Sequence, residues 1–188
     1  DPADPGTLSD DYVTSILQDA EGAMWVGTRS AGLNRVDPRT KQVTRYLPDR
    51  DDPDSLSHHS VSSIFEDSAG SLGFGTGGGG LNRLRPDGIR FERFTEADGL
   101  LDDDVMGIVE DERGSLWVST KRGLARIEPH LRACSNLVVA DGLPSGEFEP
   151  GAVTRDRNAL YFGSVKGLVA LPAGIRFPEP TPSPTVVT

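Results

Sequence analysis

The residues able to do chemistry fall into four sets. Three histidines, His58, His59 and His130, accompany a single thiol, Cys134. An adjacent pair and a distant third do not reproduce the ligand spacing of a zinc site. Asp49, Asp51, Asp52 and Asp54 form an acidic loop. Pro53 falls at the fifth calcium-loop position, no glycine stands at the sixth and Ser60 stands at the twelfth, so that motif fails. Asp102, Asp103 and Asp104 could contribute to a metal site, but read as a solvated acidic loop. Ser57, His58 and Asp67 are the one nearby Ser/His/Asp set, with no G-x-S-x-G elbow beside them. Gly73, Gly75 and Gly78 match G-x-G-x-x-G, yet LNRLRPDG follows, with Pro86 and Gly88 where a pyrophosphate-binding helix would have to run. No catalytic residue, metal or cofactor is expected from these sets. Glycosidase-type carboxylate pairs are decided by a cleft, which spacing does not reveal.

The whole chain narrows the classes further. Its 188 residues suit one domain. A formal net charge of −10 opposes nucleic acid and anionic lipid as partners. No apolar run approaches the ~18 residues of a membrane span, and no signal-peptide pattern opens the chain. One cysteine excludes an internal disulfide and leaves the redox compartment open. Gly 22 plus Pro 14 marks a turn-rich chain.

The elements that must position any site come from a repeat. VTSILQDAEGAMWVGTRSAGLNRVDP from Val13, VSSIFEDSAGSLGFGTGGGGLNRLRP from Val61 and VMGIVEDERGSLWVSTKRGLARIEP from Val105 align throughout. AVTRDRNALYFGSVKGLVALP from Ala152 is a weaker fourth copy. Short apolar runs between Asp, Gly and Pro clusters predict strands, and no helical stripe persists. First strands are predicted at 13–17, 61–65, 105–109 and, faintly, 151–153. Second strands are predicted at 24–28, 72–76, 116–120 and 160–164. Gly32, Gly80, Gly123 and Gly167 turn the chain into third strands. Outer strands are expected three times only, at 43–47, 90–94 and 136–139. Between first and second strands, Asp19 and Gly22, Asp67 and Gly70, and Asp111 and Gly114 make hairpin turns, the carboxylate bonding backbone and the glycine taking positive φ. A period of 44–48 residues with several strands per unit predicts an all-β propeller of about four antiparallel blades.

The pattern V-x-S-I-x-x-D-x-x-G-x-x-W-V-G-T…G-L-N-R resembles the two-component regulator propeller repeat. The resemblance implies the sensor ectodomain of a bacterial hybrid histidine kinase or related signalling protein, periplasmic in location. It also implies closure with about seven blades, so that residues 1–176 form the C-terminal part of a propeller of four-stranded blades, with repeats near 8–47, 56–94, 100–139 and 143–172. Residues 177–188 then form a Pro-rich linker towards a β-sandwich domain. Missing blades leave raw sheet faces, to be covered by further blades of the same chain or by a second copy in a homo-dimer.

In a propeller, loops leading into first strands and loops joining second to third strands share one face. That face carries the ligand-binding candidates Tyr12, Arg29, His58, His59, Asp102, Lys121, Arg122, Glu147, Phe148 and Lys166, a mixture suited to a glycan or other small polar ligand. The expected function is non-catalytic sensing, with relay to a membrane-anchored kinase. The alternatives are a carbohydrate-active propeller hydrolase or lyase, for which only His58 or His59 offers a catalytic imidazole, and a purely structural dimerisation propeller. Trp25, Trp117 and Tyr161 are expected to pack between blades, and Gly73 breaks that series.

Overall fold

The computed structural model describes residues 4–128 and 133–175; His130 and the predicted linker at 177–188 lie outside the described residues. The described chain folds into four antiparallel sheets arranged as part of a propeller. The first sheet holds β1 (Val13–Gln18), β2 (Met24–Thr28), β3 (Leu33–Val36) and β4 (Val43–Tyr46) in chain order. The second holds β5 (Val61–Glu66), β6 (Leu72–Thr76), β7 (Leu81–Leu84) and β8 (Phe91–Phe94). The third holds β9 (Val105–Glu110), β10 (Leu116–Thr120), β11 (Leu124–Glu128) and β12 (Ala133–Leu137). The last has three strands, β13 (Phe148–Arg155), β14 (Ala159–Ser164) and β15 (Gly167–Pro172).

One outer and one inner strand differ from expectation. The outer strand of the third sheet lies at Ala133–Leu137 rather than 136–139, because Val139 enters a 3-10 turn, Val139–Asp141, that closes on Gly142 at φ 104°. Its counterpart Glu96–Asp98 closes on Gly99 at φ 110°. Each turn delivers a leucine to the core, Leu100 and Leu143 respectively. Strand β13 begins at Phe148, well before the predicted 151, because the register shift between Phe148 and Val153 absorbs Pro150 and Gly151 within a longer strand.

The hairpin turns form as their chemistry requires. Gly22, Gly70 and Gly114 have φ of 90°, 78° and 81°, and Asp19, Asp67 and Asp111 accept backbone N–H groups through Oδ1. Asp156 does the same for Asn158 and Ala159, so the fourth copy keeps the aspartate although it has lost the glycine. At the opposite end of each sheet, Thr28, Thr76, Thr120 and Ser164 donate to the carbonyls of Gly32, Gly80, Gly123 and Gly167.

Strands β1, β5, β9 and β13 lie side by side around the axis. Thr14 and Ser62 donate their hydroxyls to the carbonyls of Val61 and Val105, stapling one inner strand to the next. At the turn end, the Glu66 carboxylate accepts the Ala20 N–H and the Glu110 carboxylate accepts the Ser68 N–H and hydroxyl. Arg155 holds the equivalent position in the last sheet and inverts the latch, donating to the Glu110 carbonyl at 2.8 Å. Three apolar seams fill the spaces between sheets. Trp25, Leu33, Val61, Phe74 and Phe91 form the first, Leu81, Val105, Ile108, Val118 and Ile127 the second, and Trp117, Leu124, Phe148, Phe162 and Val169 the third.

The two ends of the array show what a seam supplies. Ile64 and Ile108 pack into the first and second seams, whereas Ile16, the equivalent residue of the first sheet, is 62% exposed. Leu33, Leu81 and Leu124 are buried against a following sheet, whereas Leu168 at the same repeat position is 69% exposed. No strand passes between the first and last sheets among the described residues.

Candidate functional site

Four blades bring their loop ends together at one recess of about 470 Å³ on the axis. Arg29 comes from the β2–β3 loop of the first sheet, and Ser60 and Ser62 from the start of β5. Asp104, Met106 and Lys121 come from the third sheet, and Glu147 to Pro150 from the start of the last. Each is placed by register. The residue immediately before an inner strand's first buried valine (Ser60, Asp104) and the second residue of that strand (Ser62, Met106) look toward the axis, while the β2–β3 and β10–β11 loops overhang it.

The charges are arranged unequally. Lys121 Nζ donates to Asp104 Oδ2 at 2.8 Å, and that hydrogen bond, reinforced by the carboxylate charge, holds the ammonium above its ordinary pKa. The Arg29 guanidinium lies over the Tyr12 ring, 5.1 Å from its centroid, and the Arg29 backbone N–H donates to the Tyr12 carbonyl at 3.1 Å. Among the described residues no carboxylate lies within ion-pair distance of Arg29. The recess therefore offers one positive group already compensated and one held ready by an aromatic support.

The remaining candidates scatter. His58 and His59 sit 6.5 Å apart; His58 Nδ1 accepts the Ser60 N–H, and the His59 carbonyl accepts Gly32 N–H from the neighbouring sheet. Asp102 accepts the Asp104 N–H, and Asp103 bonds Glu96 N–H through its carboxylate and Gly78 and Gly80 through its carbonyl. These acidic groups organise the loop. Arg122 reaches Glu96 at 3.8 Å, and Lys166 lies on the exposed β14–β15 turn; neither enters the recess. Phe148 borders it, but its ring is 2% exposed and packs on Phe162 at 6.0 Å, making it wall and core rather than a contact surface. Ser57 donates to neither histidine: its hydroxyl meets Asn82 and Thr76, and Asp67 stands at the other end of the sheet. The glycine-rich run continues into β7, with no helix after Gly78. Among the described residues no three His, Cys, Asp or Glu side chains converge as a metal site would need. Burial pushes the Cys134 thiol up to about 11.

Ser60, Ser62 and Met106 were not singled out from the sequence. Their signal was the alternation of the inner strands, which assigns Thr14, Ser62 and Met106 one shared repeat position.

Parts of the repeat match a known one. A two-component regulator propeller profile matches residues 7–30 and 99–122, the start of the first and third repeats. Those two segments are similar to the two-component regulator propeller repeat. The extracellular domain of BT3049 from B. thetaiotaomicron, described as a hybrid two-component system, superimposes with a TM-score of 0.77 and 29% identity over 86% of this chain. That of BT4673 from the same organism gives 0.71 and 27% over 87%. The chain spans 22% and 23% of those two structures. Virginiamycin B lyase from Staphylococcus aureus shares the fold at a TM-score of 0.60 and 17% identity, covering 90% of this chain and 57% of the lyase. No curated protein sequence matches the chain. No helix among the described residues is long and apolar enough to cross a membrane.

Proposed function

We propose that this regulator propeller is the ligand-sensing part of an extracytoplasmic signalling protein, non-catalytic in itself, that relays occupancy of its axial face to a membrane-anchored kinase. The reading is supported by the repeat and by the two ectodomains sharing more than a quarter of its sequence. The observation that carries it is the recess on the axis, where Arg29 is uncompensated and residues from all four sheets meet. A small ligand bridging these residues touches four blades at once, so its binding energy acts on their relative placement, which is what a relay needs. Arg29 and the Lys121–Asp104 pair favour an anionic or polyhydroxylated ligand, and an acidic glycan satisfies both.

A glycan array on the purified chain tests this, followed by titration of the best binder. Arg29→Ala is expected to weaken binding at least tenfold, the loss of one charge-assisted hydrogen bond, without lowering the melting temperature, since the side chain is exposed. Binding that is indifferent to Arg29→Ala and Lys121→Ala would place the ligand elsewhere.

A further inference from the structure

The indole of the repeat sits in a defined cradle. Trp25 Nε1 donates to Asp19 Oδ2 at 2.7 Å, and Arg35 lies over the ring, 5.8 Å from its centroid. Trp117 Nε1 donates to Asp111 Oδ2 at 3.0 Å, with Arg126 beside the same carboxylate at 3.4 Å. Even the fourth sheet keeps the polar half, with the Tyr161 hydroxyl donating to Asp156 Oδ2 at 3.1 Å. In the second sheet the cradle is present and the ring is absent. Asp67 still holds its turn through Oδ1, and its Oδ2 faces Arg83 at 3.9 Å, too far for a hydrogen bond. Arg83 occupies the repeat position of Arg35. Between Asp67 and Arg83 lies a slot of about 70 Å³ walled by Leu81, Phe94, Leu116 and Ile127 and bordered by Glu92 and Arg93; Leu81 is also the side chain nearest to where a Gly73 Cβ would lie.

The glycine is not there for the backbone. Its φ lies outside the left-handed region, and a Cβ built on it would meet Leu81 at 3.6 Å and Ile108 at 3.9 Å, ordinary contact distances. By contrast, Gly75 on the same strand has Val105 Cγ1 only 2.5 Å from where its Cβ would lie. Close approach explains Gly75; it does not explain Gly73.

We propose that this slot binds a free, flat heteroaromatic carrying an N–H donor, an indole or its close analogue. The apolar walls take the ring, Asp67 Oδ2 takes the N–H as Asp19 and Asp111 do in cis, and Arg83 covers the exposed π-face. An enclosed apolar cavity of roughly 150 Å³ holds benzene, so a slot of 70 Å³ receives the ring edge-first, with its outer rim in solvent beside Arg83, whose side chain is 47% exposed. The site lies at the turn end of the sheet, away from the axial recess, so success or failure at one says nothing of the other.

Methyl-labelled protein titrated with indole and with benzofuran, the same shape without the N–H, decides the matter. Saturable shifts are expected at Leu81, Leu116, Ile108 and Ile127 and not at Leu33 or Val61 in the first seam. Benzofuran should bind about tenfold more weakly, the value of a hydrogen bond to a carboxylate. Gly73→Trp should abolish both titrations by filling the slot. Should that variant fold poorly, Asp67→Asn keeps the turn acceptor but presents an amide N–H₂ to the ligand. It should weaken indole several-fold and leave benzofuran unchanged. Absence of saturation, equal affinity for the two ligands, or indole binding unaltered by either substitution would overturn the proposal.

Discussion

The first and second seams are built from the same repeat and solved differently. In the first, Trp25 meets Phe74 at 5.3 Å and Tyr46 at 5.6 Å, while Phe91 closes edge-on against Tyr46. In the second, the Phe74 position is Val118 and the Trp25 position is Gly73, and apart from Phe65 and Phe94 at its margin the seam is aliphatic. Phe74 and Gly73 are neighbours on β6 and face opposite sides of the sheet. One strand thus carries its bulk toward the first sheet and nothing toward the third. The repeat fixes the frame of a seam, the turn aspartate and the arginine above it, while the volume between them is free to vary.

If that is so, the largest effect should come from removing a ring that the frame expects. Trp25→Ala or Trp117→Ala deletes a side chain 2% or 1% exposed and leaves Asp19 or Asp111 without its indole donor. A loss of about 3–5 kcal/mol is expected in chemical denaturation. A loss below about 1 kcal/mol for Trp25 would mean the first seam closes over the gap, and that the second seam's lack of an indole costs nothing.

A second contrast separates the first pair of sheets from the last pair. Asn34 and Asn82 are fully buried and clasp Ser9 and Ser57, accepting the backbone N–H at 3.0 and 2.9 Å and donating to the hydroxyl at 2.8 and 2.7 Å. In the third and fourth copies both partners have become apolar, Leu101 with Ala125 and Pro144 with Val169. Removing one partner strands the other without hydrogen bonds, whereas removing both need cost little. Asn82→Ala should therefore cost about 1–3 kcal/mol, and Ser57→Leu added to it should restore part of the loss. A double variant no better than the single would show that the clasp is fixed by its surroundings and not by its own pairing.

Sequence reading reached the strands because their signals are local. Alternation, the Asp-x-x-Gly turns and a glycine before each third strand repeat with fixed spacing, and all second strands of the three stronger copies fall at their predicted bounds. It failed where a signal was non-local or altered. Asp156 escaped because its turn has lost the glycine, and β12 was misplaced because its outer edge carries little periodicity. At the loop face the limitation was of another kind. Residue type and loop membership marked ten candidates, but which of them converge depends on the rotation between blades, which no single repeat encodes. Arg29, Lys121, Glu147 and Phe148 line one recess, while His58, His59, Asp102, Arg122 and Lys166 do not.

The turn aspartates extend the contrast to pH. Burial raises the pKa of Asp111, but the indole of Trp117, the N–H groups of Arg113 and Ser115 and the charge of Arg126 together outweigh it, and the carboxyl lies below its ordinary 3.8. A depressed folded-state value stabilises the fold fully above the unfolded value and loses that contribution as pH falls through the folded one. Asp111→Asn should cost about 2 kcal/mol at neutral pH, the scale of hydrogen bonds to a charged group. The two proteins should converge in stability only below pH 3.8. A constant difference across the acid range would assign the loss to packing.

The smallest effect, and the one that bears most directly on the comparison, comes from giving the second seam the ring it lacks. Gly73→Trp places an indole beside Asp67 and under Arg83, where Asp19 and Arg35 hold one in the first sheet. No left-handed φ stands in the way, and the Cβ has ordinary contacts. The opposing term is volume. The slot of about 70 Å³ is smaller than an indole, so Leu81 and Ile108 must rotate aside, and overpacking of that kind costs about 1–3 kcal/mol. Burying most of a ring and forming the Asp67 hydrogen bond stabilises by somewhat more than that. A net gain of about 1 kcal/mol is expected, a rise of about 3 °C in melting temperature for a chain of this length. A variant that melts lower would mean the aliphatic residues of the second seam have closed into the space too firmly to yield it, and that the empty cradle is now a structural feature of that sheet.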